Sequence, residues 1–201
     1  MEFEEFMDTI VRKTAETQGL KYKTVYPMYY SKWLSHAPYE HPEYRLPVEL
    51  ISLNGVKDSI IRVPRFAEND YGKQVRVRYI SSQVFNENPD ITTVILPSEG
   101  IIIGGQFCGC KKLKRITLPR NVDGFKQGSF EGCDSLEDIY YAGSEEEWQA
   151  IRIEHEARRI ADPKKLGLFV DIETYTLPGN EALFRAKIHY NCNWEEEINN
   201  D

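Results

Sequence analysis

Residues 107–119 read FCGCKKLKRITLP. Two cysteines stand two positions apart, and four of the five residues after Cys110 are basic. Taken alone, this is a thiol pair beside a cationic patch. Its neighbours give another reading. Thirteen residues counted from Phe85 read FNENPDITTVILP, and thirteen counted from Phe130 read FEGCDSLEDIYYA. The apolar positions keep one register in all three: Phe85, Ile91, Val94 and Leu96; Phe107, Leu113, Ile116 and Leu118; Phe130, Leu136, Ile139 and Tyr141. The phenylalanines lie 22 and 23 residues apart. Self-similarity with a period in the twenties marks stacked repeats. Each unit is too small to bury its own apolar face, and stacking supplies a continuous core.

The pattern F-x-x-C-x-x-L-x-x-I-x-L-P resembles leucine-rich repeats of the BspA type. Upstream, SIIRVP and YGKQVRVRYISSQVF resemble that family's opening half-repeat, with Pro64, Gly72, Val77 and Ile80 at matching places. Downstream, IYYAGSEEEWQAI resembles its final repeat, through Gly143, Ser144, Glu147 and Trp148. NEALFRAKIHYN, at 180–191, resembles its closing strand. About twenty residues, roughly 155–177, intervene where the family has few. The resemblance implies an α+β, β-rich fold: a short right-handed solenoid of three to four repeats with helical caps at both ends. The expected organisation is a capping segment at 1–47, a repeat domain at 48–192 and an acidic tail at 193–201.

Local patterns add detail. Apolar spacing predicts a helix over 3–18 that stops at Gly19. Residues 21–47 are aromatic and hold four prolines, which predicts irregular chain. Asn54-Gly55 between two strand-like runs predicts a hairpin over 48–64. Ser144 followed by Glu147 forms a capping box and predicts a helix over 144–160, with Trp148 plugging the open end of the stack.

Composition bounds the function. The net charge of −7 argues against nucleic-acid binding, which needs a basic face to displace counterions from phosphate. No apolar run reaches the 18 or so residues of a membrane span. If Met1 is the native start, the acidic N-terminus predicts a cytoplasmic protein; an upstream export signal would instead place it at the cell surface or outside. Nucleophile elbows, P-loops and dinucleotide fingerprints are absent, so neither an enzyme nor a cofactor is expected. His36, His41, His155 and His189 show no ligand spacing, and no metal is expected.

In leucine-rich repeats the slot held here by Asn88, Cys110 and Cys133 is Asn or Cys, and its side chain bonds loop backbone. The expected repeat core is therefore Phe85, Asn88, Phe107, Cys110, Leu113, Ile116, Phe130, Cys133, Leu136, Ile139 and Trp148. Lateral stacking pairs Lys111 with Asp134, Lys114 with Glu137 and Arg115 with Asp138, a charge ladder that helps fix register. Strand alternation turns Thr93, Ile95, Arg115, Thr117, Asp138 and Tyr140 outward, onto the face where such repeats bind protein or peptide. Two other readings stay open. The aromatic segment 22–46, including Trp33, suits sugar stacking, and an exposed edge suits self-association. Cys108 falls outside every column.

Overall fold

The computed structural model describes residues 19–25, 46–53, 55–81, 83–86, 88–98, 106–122, 124–154, 156–160, 172–176 and 179–194. The helix expected over 3–18, Trp33 with most of the aromatic segment, His36, His41, His155 and the tail from 195 lie outside these described residues.

The chain enters through β1 (Lys21–Thr24) and β2 (Val48–Ser52), crosses to β3 (Ile60–Arg62), and returns in β4 (Phe66–Glu68) and β5 (Gln74–Ile80). The repeats contribute β6 (Thr93–Ile95), β7 (Arg115–Leu118), the short β8 (Gly124–Phe125) and β9 (Asp138–Tyr141). Then come α1 (Glu145–Ala150), β10 (Arg152–Ile153), β11 (Glu156–Ile160), β12 (Ile172–Thr176), α2 (Glu181–Arg185) and β13 (Lys187–His189). One strand from each repeat joins a five-stranded parallel sheet in the order β13-β9-β7-β6-β3. The register advances by one repeat per strand, so Thr93, Arg115 and Asp138 are lateral neighbours.

The inward side chains explain the stacking. Phe85, Phe107 and Phe130 form a column with centroids 5.3 and 4.9 Å apart, within the range of favourable aromatic pairs. Leu113, Ile116 and Leu118 are fully buried beside them. The cysteines occupy the same core. Cys110 Sγ donates to Phe85 O at 2.9 Å, and Cys133 Sγ donates to Phe107 O at 3.0 Å. Each of those carbonyls also accepts an amide from its own coil, Asn88 N and Cys110 N respectively. The thiol therefore satisfies the second lone pair of a buried carbonyl one repeat away. Asn88, in the first copy, accepts instead from Asp90 N within its own loop. None of the four cysteines is in a disulfide. Gly109 and Gly132 recur beside the thiols with φ of 78° and 73°, a left-handed turn that disfavours a Cβ.

The ends differ from the sequence expectations in three places. First, the helix expected over 144–160 ends at Ala150. Its capping box forms, with Ser144 Oγ accepting from Glu147 N and the Glu147 carboxylate accepting from Ser144 N. Beyond it, Arg152 and Ile153 pair with β8 instead of continuing the helix. The approach is so close that a Cβ on Gly124 would meet Arg152 O at 2.7 Å. Trp148 is buried against Phe125 and Tyr141. Second, β2 and β3 form no hairpin. Gly55 does turn the chain at φ 74°, but β2 pairs with β1 and β5 while β3 joins β6. Val48 and Leu50 of β2 and Ile61 of β3 are all buried in one core. Third, the proline-rich segment begins with a regular strand, β1. The intervening stretch near 155–177 contains the antiparallel pair β11–β12.

Asn180 ties the closing helix to the last coil. Its Nδ2 donates to Lys126 O and Glu154 O, both at 2.9 Å, and its Oδ1 accepts from Phe130 N.

Burial pushes the Cys110 thiol up to about 11 and the Cys133 thiol up to about 12, from an ordinary value of 9.0. Above pH 9 the unfolded chain sheds protons that the folded chain keeps, so stability is full below pH 9 and falls as pH rises toward 12. Melting temperature followed from pH 8.5 to 10.5 is expected to drop, and to drop less in the Cys110→Ala/Cys133→Ala variant. Phe107→Ala, which breaks the column at its centre, is expected to cost about 3–5 kcal/mol in urea unfolding. Lys112→Ala, which removes an exposed pair with Asp90 at 3.1 Å, is expected to cost less than about 1 kcal/mol.

Candidate partner-binding face

The parallel register places the outward residues in two rows. One runs Ile60, Thr93, Arg115, Asp138, Lys187. The other joins Arg62 to Ile95 on one side, and Thr117 to Tyr140 and His189 on the other. Between these halves the ladder stops, because β6 and β7 pair only at Thr93–Arg115 and Val94–Ile116. The Thr117 hydroxyl takes over. It accepts from Leu96 N at 2.7 Å and donates to Leu96 O at 3.0 Å.

The six residues expected to face outward as a binding surface are not open to solvent. Thr93, Ile95, Thr117, Asp138 and Tyr140 are buried, and Arg115 is half-buried. Over Ile95 and Tyr140 the cover is the segment after β13, which folds back onto that part of the face. Asn191 adopts φ 55°. Asn191 N donates to Gly143 O and Cys192 N to Tyr141 O. Trp194, 1% exposed, then packs with Ile95, Tyr140 and Cys192, with Ile60 and Ala142 alongside. Its indole N–H donates to Leu96 O at 2.9 Å. Residues 193 and 194 were read in sequence as the start of a loose acidic tail; Trp194 is instead an anchor. Its one signal was a lone large aromatic shortly after the closing strand.

Charge is organised around Asp138. His189 Nε2 lies 2.9 Å from Asp138 Oδ1, within hydrogen-bond distance. The His189 ring stacks on Tyr140 at 4.6 Å. Arg115 Nε lies 3.7 Å from Asp138 Oδ2, an ion pair longer than a hydrogen bond. Of the expected ladder, Lys114–Glu137 forms at 3.5 Å alongside Arg115–Asp138. Asp134 is engaged instead by Arg185 of α2 at 3.7 Å.

The groups here hold structure and offer surface. Cys192 Sγ donates to the His189 and Tyr190 carbonyls, and burial pushes its pKa up to about 11, far from the thiolate a nucleophile needs. Among the described residues, no group of three His, Cys, Asp or Glu is placed to hold a metal ion. Nor is any described helix long and apolar enough to cross a membrane.

Strands β6, β7 and β9, 22 and 23 residues apart in parallel register, with a phenylalanine column and an Asn/Cys slot, have the features expected of leucine-rich repeats. Residues 73–151 match the family described as "BspA type Leucine rich repeat region (6 copies)". The chain is also similar to a leucine-rich repeat protein from Bacteroides capillosus ATCC 29799, at 25% identity over 47% of this chain and 70% of that one, with a TM-score of 0.40. No curated protein matches the chain.

Thr117→Val keeps the side-chain shape but removes the hydroxyl that bridges Leu96, leaving buried backbone groups short of partners. It is expected to cost about 1–3 kcal/mol in chemical denaturation, whereas Thr117→Ser is expected to recover most of that loss.

Proposed function

We propose that the chain is a short capped solenoid that works as a non-enzymatic protein- or peptide-binding module through the face of its parallel sheet. Repeats of this family point to a protein-interaction or adhesion role. One observation carries the choice of face: it already holds side chains from a later segment of the same chain, Cys192 and Trp194. That segment is held by a backbone hydrogen bond from Cys192 N to Tyr141 O, by a side-chain hydrogen bond from Trp194 to Leu96 O, and by apolar burial around Tyr140 and Ile95. A pocket for a chosen side chain is a source of specificity when a protein takes up a peptide. The half-buried Arg115 and exposed Lys187 lie in the row beside this contact and leave it a polar rim, as recognition sites have.

The test is hydrogen–deuterium exchange on the protein with a peptide selected from a displayed random library. Protection is expected in β6, β7 and β9. Protection confined to β4 and β5 would place recognition on the other sheet and end this reading.

A further inference from the structure

We infer that the seat filled by Trp194 is a recognition pocket for a tryptophan-bearing segment of a partner protein, and that Cys192 and Trp194 occupy it as an intramolecular stand-in. This rests on the sheet face being the binding surface.

Three observations lead there. The first is that the seat is separate from the fold's main core. Trp194, Cys192, Ile95 and Tyr140 form their own cluster, while the phenylalanine column, the thiol slot and the Trp148 plug belong to another. Ile95 and Tyr140 sit between inward neighbours such as Val94, Ile139 and Tyr141, so the sheet itself divides the two clusters.

The second is that the seat has a polar address. The β6–β7 ladder ends before Leu96, so the Leu96 carbonyl meets side chains instead of a strand. Thr117 Oγ1 fixes one side of it, and the indole N–H arrives on the other. Of the large apolar side chains, tryptophan alone brings a buried ring together with an N–H donor. Phenylalanine would fill the space and leave the donor position empty.

The third is that the occupant is attached as a short flap. It follows a three-residue strand and turns at Asn191, a non-glycine residue in the left-handed region. Asparagine is one of the few non-glycine residues that adopts this conformation readily. A partner segment that brings its own tryptophan replaces one hydrogen bond and one buried ring with the same pair. Its apparent affinity is lowered in proportion to how rarely the flap is open.

The experiment uses the full chain carrying Trp194→Ala and a fluorescein-labelled peptide of sequence YNCNW, matching residues 190–194, under reducing conditions. Fluorescence anisotropy is expected to show saturable binding to the variant and about ten-fold weaker binding to the wild type. The peptide YNCNF is expected to bind the variant several-fold less tightly than YNCNW, by loss of the donor to Leu96 O. A folded variant that fails to bind YNCNW overturns the inference, and so does equal binding by both proteins. Loss of the cooperative melt in Trp194→Ala also overturns it, because the seat would then be inseparable from the fold. A library-selected peptide separates this inference from the broader reading. Equal affinity for both proteins with protection on β6, β7 and β9 leaves the face as the binding surface and removes only the stand-in. Protection elsewhere in both proteins removes the face.

Discussion

A buried S–H set against the phenylalanine carbonyl of the preceding coil is the contact on which the stack depends. It is short, it crosses from one repeat to the next, and it satisfies a carbonyl that water cannot reach. Once Cys110 meets Phe85 O and Cys133 meets Phe107 O, the rings above them are brought into a column. The strands that follow, β6, β7 and β9, fall into lateral register. That register puts Thr93, Arg115 and Asp138 in one row and makes the outer face a continuous surface. The sheet contributes hydrogen bonds in number, but the column sets which residue meets which.

The repeats were legible because their determinants are local and recur. Phe107, Cys110, Leu113 and Ile116 each have a counterpart 23 residues on, and no long-range knowledge is needed to align them. The capping box at Ser144 and Glu147 was readable for the same reason, since both partners lie within one turn. What it could not reveal was where the helix ends, because that is decided by the pairing of Arg152 and Ile153 with Gly124 and Phe125, nearly thirty residues back. The turn at Gly55 was likewise visible, yet the strand after it was claimed by β6 instead of β2.

The candidate face shows the same limit more sharply. Alternation along Thr93 to Ile95, or Arg115 to Thr117, tells which residues point away from the core. It does not tell what lies over them. The cover comes from Trp194, ninety-eight residues from its hydrogen-bond partner Leu96. Nothing in the local pattern of either segment announces the other. Asn180 belongs to the same class: a common helix-start residue in sequence, but in the fold a clamp across three segments.

The absence of a covalent link among the coils has a consequence for how such a protein can change in length. A column of disulfides grows two cysteines at a time, and every odd coil leaves a reactive sulfur behind. A column of thiols, each donating to the carbonyl one coil back, has no parity. One coil can be gained or lost between Phe85 and Phe130, and every remaining sulfur still finds an acceptor. Repeat number then becomes a variable that a single duplication can alter without help from an oxidising compartment.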